Sequence, residues 1–386
     1  FLVIYYELSV DGTNVVIGEI NEQDIPSIAP RTTGMISIPV QVPRKGKAYL
    51  KLIYGLKHAD IFRKKNHLLG FDEIALTNED TRNQTSLNWK ETSAQRSKEL
   101  PKITVFETEK QLIVEGASFK YIYSKLYGTF DQLTVNGCDF LDKPMELNVW
   151  RAPTDNDMYI KVEWLKAMYD RAVSRAYVTN YTLTAEYLEI HSLMSMTAVT
   201  VQRMMNIDTV WRIDNAGQVS VKMDVTRNMD FPELPRFGIR MFVPRRLDRV
   251  TYYGLGPMES YEDKRRASSH GLYRSSVAAL HEDYIKPQEN GSHADCDFVI
   301  IEDGAGQVLK AYCDSKFSFN ASVYTQEELT EKKHNYELVP CGSTVLNLDL
   351  RQDGIGSNSC GPRPQEKYRL DEERFTYTMN LKLETK

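Results

Sequence analysis

The chain has 386 residues, of which 26% are charged and 41% hydrophobic, with a net charge of −5. That is the balance of a water-soluble globular chain long enough for two or three domains. No basic surplus points to nucleic acid and no apolar run is long enough to span a bilayer, so neither nucleic acid nor a membrane is expected as a partner.

Residues 1–77 predict short alternating strands. Leu2, Ile4, Tyr6 and Leu8 share one face, Asp11-Gly12 supplies a turn, and Val15-Val-Ile17 follows. Ile36, Ile38 and Val40 alternate again, as do the residues from Tyr49 to Ile53, a pattern that suits a small β-sandwich. The opening Phe1-Leu-Val-Ile-Tyr-Tyr reads as the middle of a strand and has no initiator Met. A fragment is therefore expected, with any targeting segment upstream. Residues 78–101 are rich in Asn, Thr, Ser, Glu and Arg and read as a surface linker.

From Lys102 to Lys386 the strands return and lengthen. Phe119, Tyr121 and Tyr123 alternate. Val219, Val221, Met223 and Val225 line one strand face against Ser220, Lys222 and Asp224 on the other, after a turn at Asn215–Gln218. Helix is rare. Apolar spacing at Val162, Leu165, Met168, Tyr169 and Val173 predicts one helix over 161–175. Thr325 with Glu328 forms a capping box for a second over 326–333. The fold class expected is mainly β. Cys138, Cys296, Cys313, Cys341 and Cys360 are odd in number and form no C-x-x-C pair. Free thiols are expected, which fits the cytoplasm and leaves a bacterial periplasm open.

Three stretches carry chemistry. Arg151-Ala-Pro-Thr-Asp-Asn-Asp157 gathers two carboxylates, an amide and a guanidinium. It reads as a structural Asx-turn network bridged by Arg151, or as a cation loop without the Gly and Glu of a calcium site. Gly254-Leu-Gly-Pro257 lacks the ending of a phosphate loop, and its glycines read as a bent strand or a close backbone approach. Glu259, Asp263, Arg265 and Arg266 read as an ion-pair cluster at a loop or interface. Glu289-Asn-Gly291 reads as a turn. His270, His281 and His293 lie near Glu259 and Glu289 in sequence, residue types that general acid–base chemistry uses. Surface histidines are the plainer reading.

Four motifs occur in order: Trp150-Arg-Ala-Pro-Thr-Asp-Asn-Asp157, Tyr252-Tyr-Gly-Leu-Gly-Pro-Met-Glu-Ser-Tyr-Glu-Asp-Lys-Arg-Arg266, Tyr284-Ile-Lys-Pro-Gln-Glu-Asn-Gly291, and Phe317-Ser-Phe-Asn-Ala-Ser-x-Tyr324 followed by Gly354-Ile-Gly356. Together they resemble the C-terminal part of the bacterial family 2 β-galactosidases. The resemblance implies a partial immunoglobulin-like sandwich over 1–77. It implies a large antiparallel, galactose-mutarotase-like β-sandwich, the small-chain domain, over 102–386. It also implies retaining hydrolysis of terminal β-D-galactosides by two glutamates about 5–5.5 Å apart, on a (β/α)₈ barrel that this sequence does not encode. No residue of this chain is expected to be catalytic, and the chain alone is expected to be inactive.

The resemblance further implies that Asn156, Asp157, Met158 and Tyr159 border the galactoside pocket. Some relatives carry a sugar-stacking Trp where this chain has Cys360. The change points to an altered aglycone site, another β-linkage, an aromatic borrowed from elsewhere, or an inert loop thiol. Expected partners are the N-terminal and barrel domains of the same enzyme, the galactoside, and further copies in a homo-oligomer. Mg and Na ions are expected mainly on the barrel, with no metal held by this chain. The alternatives are a non-catalytic carbohydrate-binding module, the small subunit of a two-chain β-galactosidase, and a related β-glucuronidase or β-mannosidase.

Overall fold

A computed structural model describes residues 2–76 and 101–385. The linker expected over 78–101 lies outside the described residues except for Pro101. The chain is mainly β and divides into two compact units, Phe1–Asn88 with Ser269–Leu272, and Trp89–Ser268 with Tyr273–Lys386.

In the first unit, strands β1 (Leu2–Val10), β2 (Thr13–Glu19), β3 (Ala48–Leu56) and β4 (Leu68–Ala75) form one antiparallel sheet in the order β2-β1-β3-β4. The β1–β2 turn places Asp11 and Gly12 at φ 49° and 80°, the left-handed pair that a tight hairpin favours. Ile4, Tyr6, Ile20 and Leu50 form a small buried cluster. Ile36, Ile38 and Val40 pack against it, but no ladder forms there, and the Val40 N–H turns back to the Ile38 carbonyl at 2.9 Å, so the strand expected at Ile36–Val40 is an irregular cover. The alternation in its sequence reflects one-sided burial rather than sheet membership.

Two further antiparallel sheets are drawn mainly from the second unit. The smaller runs in sequence order through β5 (Thr104–Glu107), β6 (Gln111–Glu115), β7 (Phe119–Ser124), β8 (Phe130–Val135) and β9 (Cys138–Asp139). The larger contains β10 (Lys143–Asn148), β11 (Val173–Leu183), β12 (Tyr187–Thr197), β13 (Met205–Asp214), β14 (Val219–Arg227), β15 (Arg236–Pro244), β16 (Arg249–Gly256), β17 (Ser269–Ser276), β18 (Ser292–Glu302), β19 (Gln307–Ser322), β20 (Ser343–Gln352) and β21 (Arg374–Thr385). Its main path is β10-β15-β20-β19-β21-β14-β13-β12-β11, with β16–β18 branching off at β19.

The alternating residues behave as the strand period requires. Val219, Val221, Met223 and Val225 are all buried, and so are Phe119, Tyr121 and Tyr123. The smaller sheet packs on β12 and β13. Phe130 meets Trp211 edge-on at 5.0 Å, Trp211 Nε1 donates to the Gly128 carbonyl at 3.1 Å, and the Tyr123 and Ser192 hydroxyls lie 2.8 Å apart. Trp211 is wholly buried, and truncation of such a side chain costs about 3–5 kcal/mol.

Helix is scarce, and the helix expected over 161–175 forms only in its first part. The first α-helix, α1, covers only Ile160–Lys166. Met168 takes a left-handed φ of 58°, a 3₁₀ turn follows at Tyr169–Arg171, and Val173 already belongs to β11. The buried residue of α1 is Trp164, whereas Val162 and Leu165 are exposed. The second, α2, spans Gln326–Glu331, shorter than expected. Thr325 Oγ1 accepts the Glu328 N–H at 3.1 Å, so half of the capping box forms. The Glu328 carboxylate instead takes the Val339 N–H at 2.9 Å. No described helix is long and apolar enough to cross a membrane, and all five cysteines are free.

The close-approach reading of the glycines in β16 matches the packing. A Cβ on Gly254 would lie 2.9 Å from Cys296 Cα, and one on Gly256 would lie 2.2 Å from the Tyr252 hydroxyl.

Candidate functional site

The sequence between β10 and α1 folds around one buried ion pair. Arg151 is fully buried, and its guanidinium holds Asp157 with Nη2 to Oδ1 at 2.7 Å and Nε to Oδ2 at 3.3 Å. Thr154 adds its backbone N–H at 2.8 Å and its hydroxyl at 3.0 Å to the same Oδ2, closing a 3₁₀ turn at Asp155–Asp157. Arg151 also stacks 5.3 Å above Trp164. The remaining donors of Arg151 cross to the segment after β20, reaching the carbonyls of Asp353 and, at 3.1 Å, Gly354. Burial alone would lower the pKa of Arg151, but the Asp157 and Asp353 carboxylates outweigh it and the pKa is raised.

The two loops are joined a second time near the surface. Asn156 Nδ2 donates to the Gly356 carbonyl at 2.8 Å, and the Ser359 hydroxyl donates to Asn156 Oδ1 at 2.8 Å. Asp263 fixes the same turn from the other side, with Oδ1 accepting Ile355 N–H at 2.8 Å and Oδ2 accepting Gly356 N–H at 2.7 Å.

Two cavities open at this junction. One of about 770 Å³ is lined by Asn156, Tyr261, Lys264, Tyr284, Glu289 and Gly356 among others. The other, of about 490 Å³, is lined by Asn156, Asp157, Tyr159, Glu233, Asp353 and Arg363 among others. Burial pushes Asp353 up to about 7 against the opposing pull of Arg151.

The residues singled out from sequence divide as follows. Asn156 lines both cavities, and Asp157 and Tyr159 line the second. Met158 and Tyr159 are exposed. Cys360 is exposed and sits next to Ser359, whose hydroxyl holds Asn156, so its loop and the Asn156 loop meet. Asp157 is the least available of the five, because its carboxylate is taken up by Arg151 and Thr154.

The charges that follow β16 are arranged differently from the cluster expected. Glu259 accepts from Lys264 and from the Tyr284 hydroxyl, takes the Gly291 N–H at 2.9 Å, and is buried. Arg265 pairs with Asp295 rather than with Glu259 or Asp263. Burial acts to lower the Lys264 pKa, and the Glu259 and Tyr284 oxygens overcome it, so the ammonium is held more firmly than usual.

Beneath lies a second buried group that the linear sequence does not announce. Arg236 donates to Asp349 at 2.7 Å and to Glu289 at 3.3 Å, and Gln352 donates to Glu289 at 3.2 Å. Burial pushes Glu289 and Asp349 up while Arg236 pulls both down. The available signal is a charge at an inward position of a buried strand: Asp349 interrupts the apolar run of β20 and Arg236 opens β15.

A family model described as beta galactosidase small chain matches residues 115–381. The chain is 34% identical to a β-galactosidase of Actinobacillus pleuropneumoniae over 390 residues, covering 99% of this chain and 36% of the relative. It is 33% identical to a β-galactosidase of Staphylococcus xylosus, covering 94% of this chain and 36% of the relative. A solved galactose 1-epimerase from Lactobacillus acidophilus is similar at 8% identity and a TM-score of 0.41, over 74% of this chain and 99% of that one. The chain thus spans about a third of the length of the curated relatives it matches. With a match over residues 115–381, the chain belongs to the β-galactosidase small-chain family.

Proposed function

We propose that this chain is part of a retaining β-galactosidase that hydrolyses terminal non-reducing β-D-galactosides. In this reading the nucleophilic and acid/base glutamates lie on a barrel outside this chain. This chain supplies one wall of the sugar pocket and packing surface for the other domains. The observation that carries the reading is the junction of residues 151–159 with 354–360. It is a pair of loops tied twice to each other in a small-chain domain, on a chain that spans a third of its β-galactosidase relatives. Asn156 offers a half-buried amide there, and Tyr159 an exposed aromatic face of the kind that packs on sugars.

The partners in this reading are the remaining domains of the same enzyme, the galactoside, and further copies of the chain. The Mg and Na ions go with the barrel. Among the described residues no group of three or more His, Cys, Asp or Glu side chains converges, and Asp157 is committed to Arg151 and Thr154.

The test is hydrolysis of a chromogenic β-galactoside by the chain alone and after mixing with a segment carrying the barrel. Activity only on mixing is expected. Turnover by the chain alone would overturn the assignment of the chemistry to the barrel.

A further inference from the structure

His293, in β18, is held on three sides. Its ring lies 4.5 Å from that of Tyr252 and stacks on Phe319 at 5.3 Å. Its Nδ1 lies 3.1 Å from the Leu255 carbonyl oxygen and 3.1 Å from the Tyr252 hydroxyl. A carbonyl only accepts, so Nδ1 carries the proton and Nε2 is left with its lone pair. The ring is 1% exposed, and Nε2 is buried with no hydrogen-bond partner. An unmet buried acceptor costs about 1–3 kcal/mol, a cost that persists unless something donates to it.

His293 also lines a cavity of about 200 Å³, together with Tyr252, Glu259, Tyr273, Arg274 and Glu282. At ~30 Å³ for each water of the liquid, that is room for several waters or one small molecule. The wall is close to neutral. Glu259 is already matched by Lys264, and Glu282 shares the cavity with Arg274. Tyr252 and Tyr273, with ring centroids 5.4 Å apart, give it an aromatic side. A ligand here must bring an O–H or N–H donor, tolerate both an acid and a guanidinium, and lay an apolar face on a phenol. Those requirements describe a neutral polyol.

We propose that this cavity is a binding subsite for a small, neutral, polyhydroxylated molecule, a sugar or sugar-like polyol, that donates a hydroxyl hydrogen bond to His293 Nε2. The inference goes beyond the hydrolytic reading, because it requires only this chain. Burial holds the imidazole pKa down at about 4, so the lone pair is present at neutral pH.

The test is side-chain ¹⁵N NMR of the full 386-residue chain labelled at histidine. The resting His293 ring is expected to show the proton on Nδ1. Titration with D-galactose or glycerol should move the Nε2 resonance saturably, with a Kd in the roughly millimolar range, and sodium sulfate should not move it. His293→Leu should weaken binding at least about tenfold. If that variant does not fold, the wild-type resonances decide. A proton on Nε2, or an Nε2 resonance unmoved through roughly 100 mM of either polyol, overturns the proposal and leaves ordered water as the occupant. Since binding is read without hydrolysis and without the barrel segment, its failure is separate from failure of the complementation assay.

Discussion

Asn156 and Gly356 are 200 residues apart in the chain and share a 2.8 Å hydrogen bond, so the two loops at the candidate site are set by each other. Asn156→Ala removes that bond and the one from Ser359. At about 1 kcal/mol for the part-buried bond to Gly356 and less for the exposed one from Ser359, the loss should be about 1–2 kcal/mol. Amide exchange at 357–361 should quicken about tenfold while β14 stays protected. In the complemented enzyme, KM for the galactoside should rise more than kcat falls. Unchanged exchange across 357–361 would show that Asp263 alone fixes the turn.

Arg151 and Asp157 form a buried pair, with side chains 0% and 3% exposed, so the two charges depend on each other. Arg151→Met leaves a buried carboxylate with only the Thr154 donors, and the expected cost is about 3–5 kcal/mol in urea unfolding. Adding Asp157→Asn to Arg151→Met should recover part of that cost, because the stranded charge is gone. A single variant that costs under about 1 kcal/mol would mean that the pair is solvated.

Local periodicity carries much of the fold. The inward set Val219, Val221, Met223 and Val225 is legible because a strand with one wet face repeats every two residues, and the turn before it is written in Asn215–Gln218, to which the structure adds Asp214 Oδ1 as acceptor of the Ala216 and Gln218 N–H groups. The helix expected over 161–175 stops at Lys166 because its apolar spacing is also compatible with a short helix, a turn and a strand start. The deciding event, the left-handed Met168, leaves no mark in the spacing. The site is legible only in part. Arg151 and Asp157 are six residues apart, close enough in sequence to be paired from it. Arg236 finds Asp349 across 113 residues of chain, and Arg265 finds Asp295 across 30; those partners are chosen by strand order.

Thr325 caps α2 with its hydroxyl on the Glu328 N–H. Thr325→Ala should cost about 1 kcal/mol, and Glu328→Gln less, because the Glu328 carboxylate serves the Val339 N–H rather than the cap. Chemical denaturation of the two variants side by side gives the ranking. A larger loss for Glu328→Gln would indicate that the Val339 loop, and not the cap, holds this helix.

The pH dependence of stability should expose two buried groups that oppose each other. His293 is held down, with a folded pKa of about 4 against 6.5. Below pH 6.5 the unfolded chain takes up a proton that the native ring refuses, so the His293 contribution to stability falls as pH drops from about 6.5 to 4. The full swing is on the order of 3 kcal/mol. Asp353 is pushed up, with a folded pKa of about 7 against 3.8. There the native state keeps a proton that the unfolded chain has lost, so stability is lost as pH rises from about 4 to 7, by on the order of 4 kcal/mol. Between pH 4 and 6.5 the two slopes have opposite signs and nearly cancel. Relative to the parent, His293→Gln should therefore show stability declining as pH rises through that window. Asp353→Asn should show it climbing. Urea midpoints at half-unit pH steps would reveal both slopes, and a pair of variants tracking the parent in parallel would mean that neither group titrates out of register with the unfolded chain.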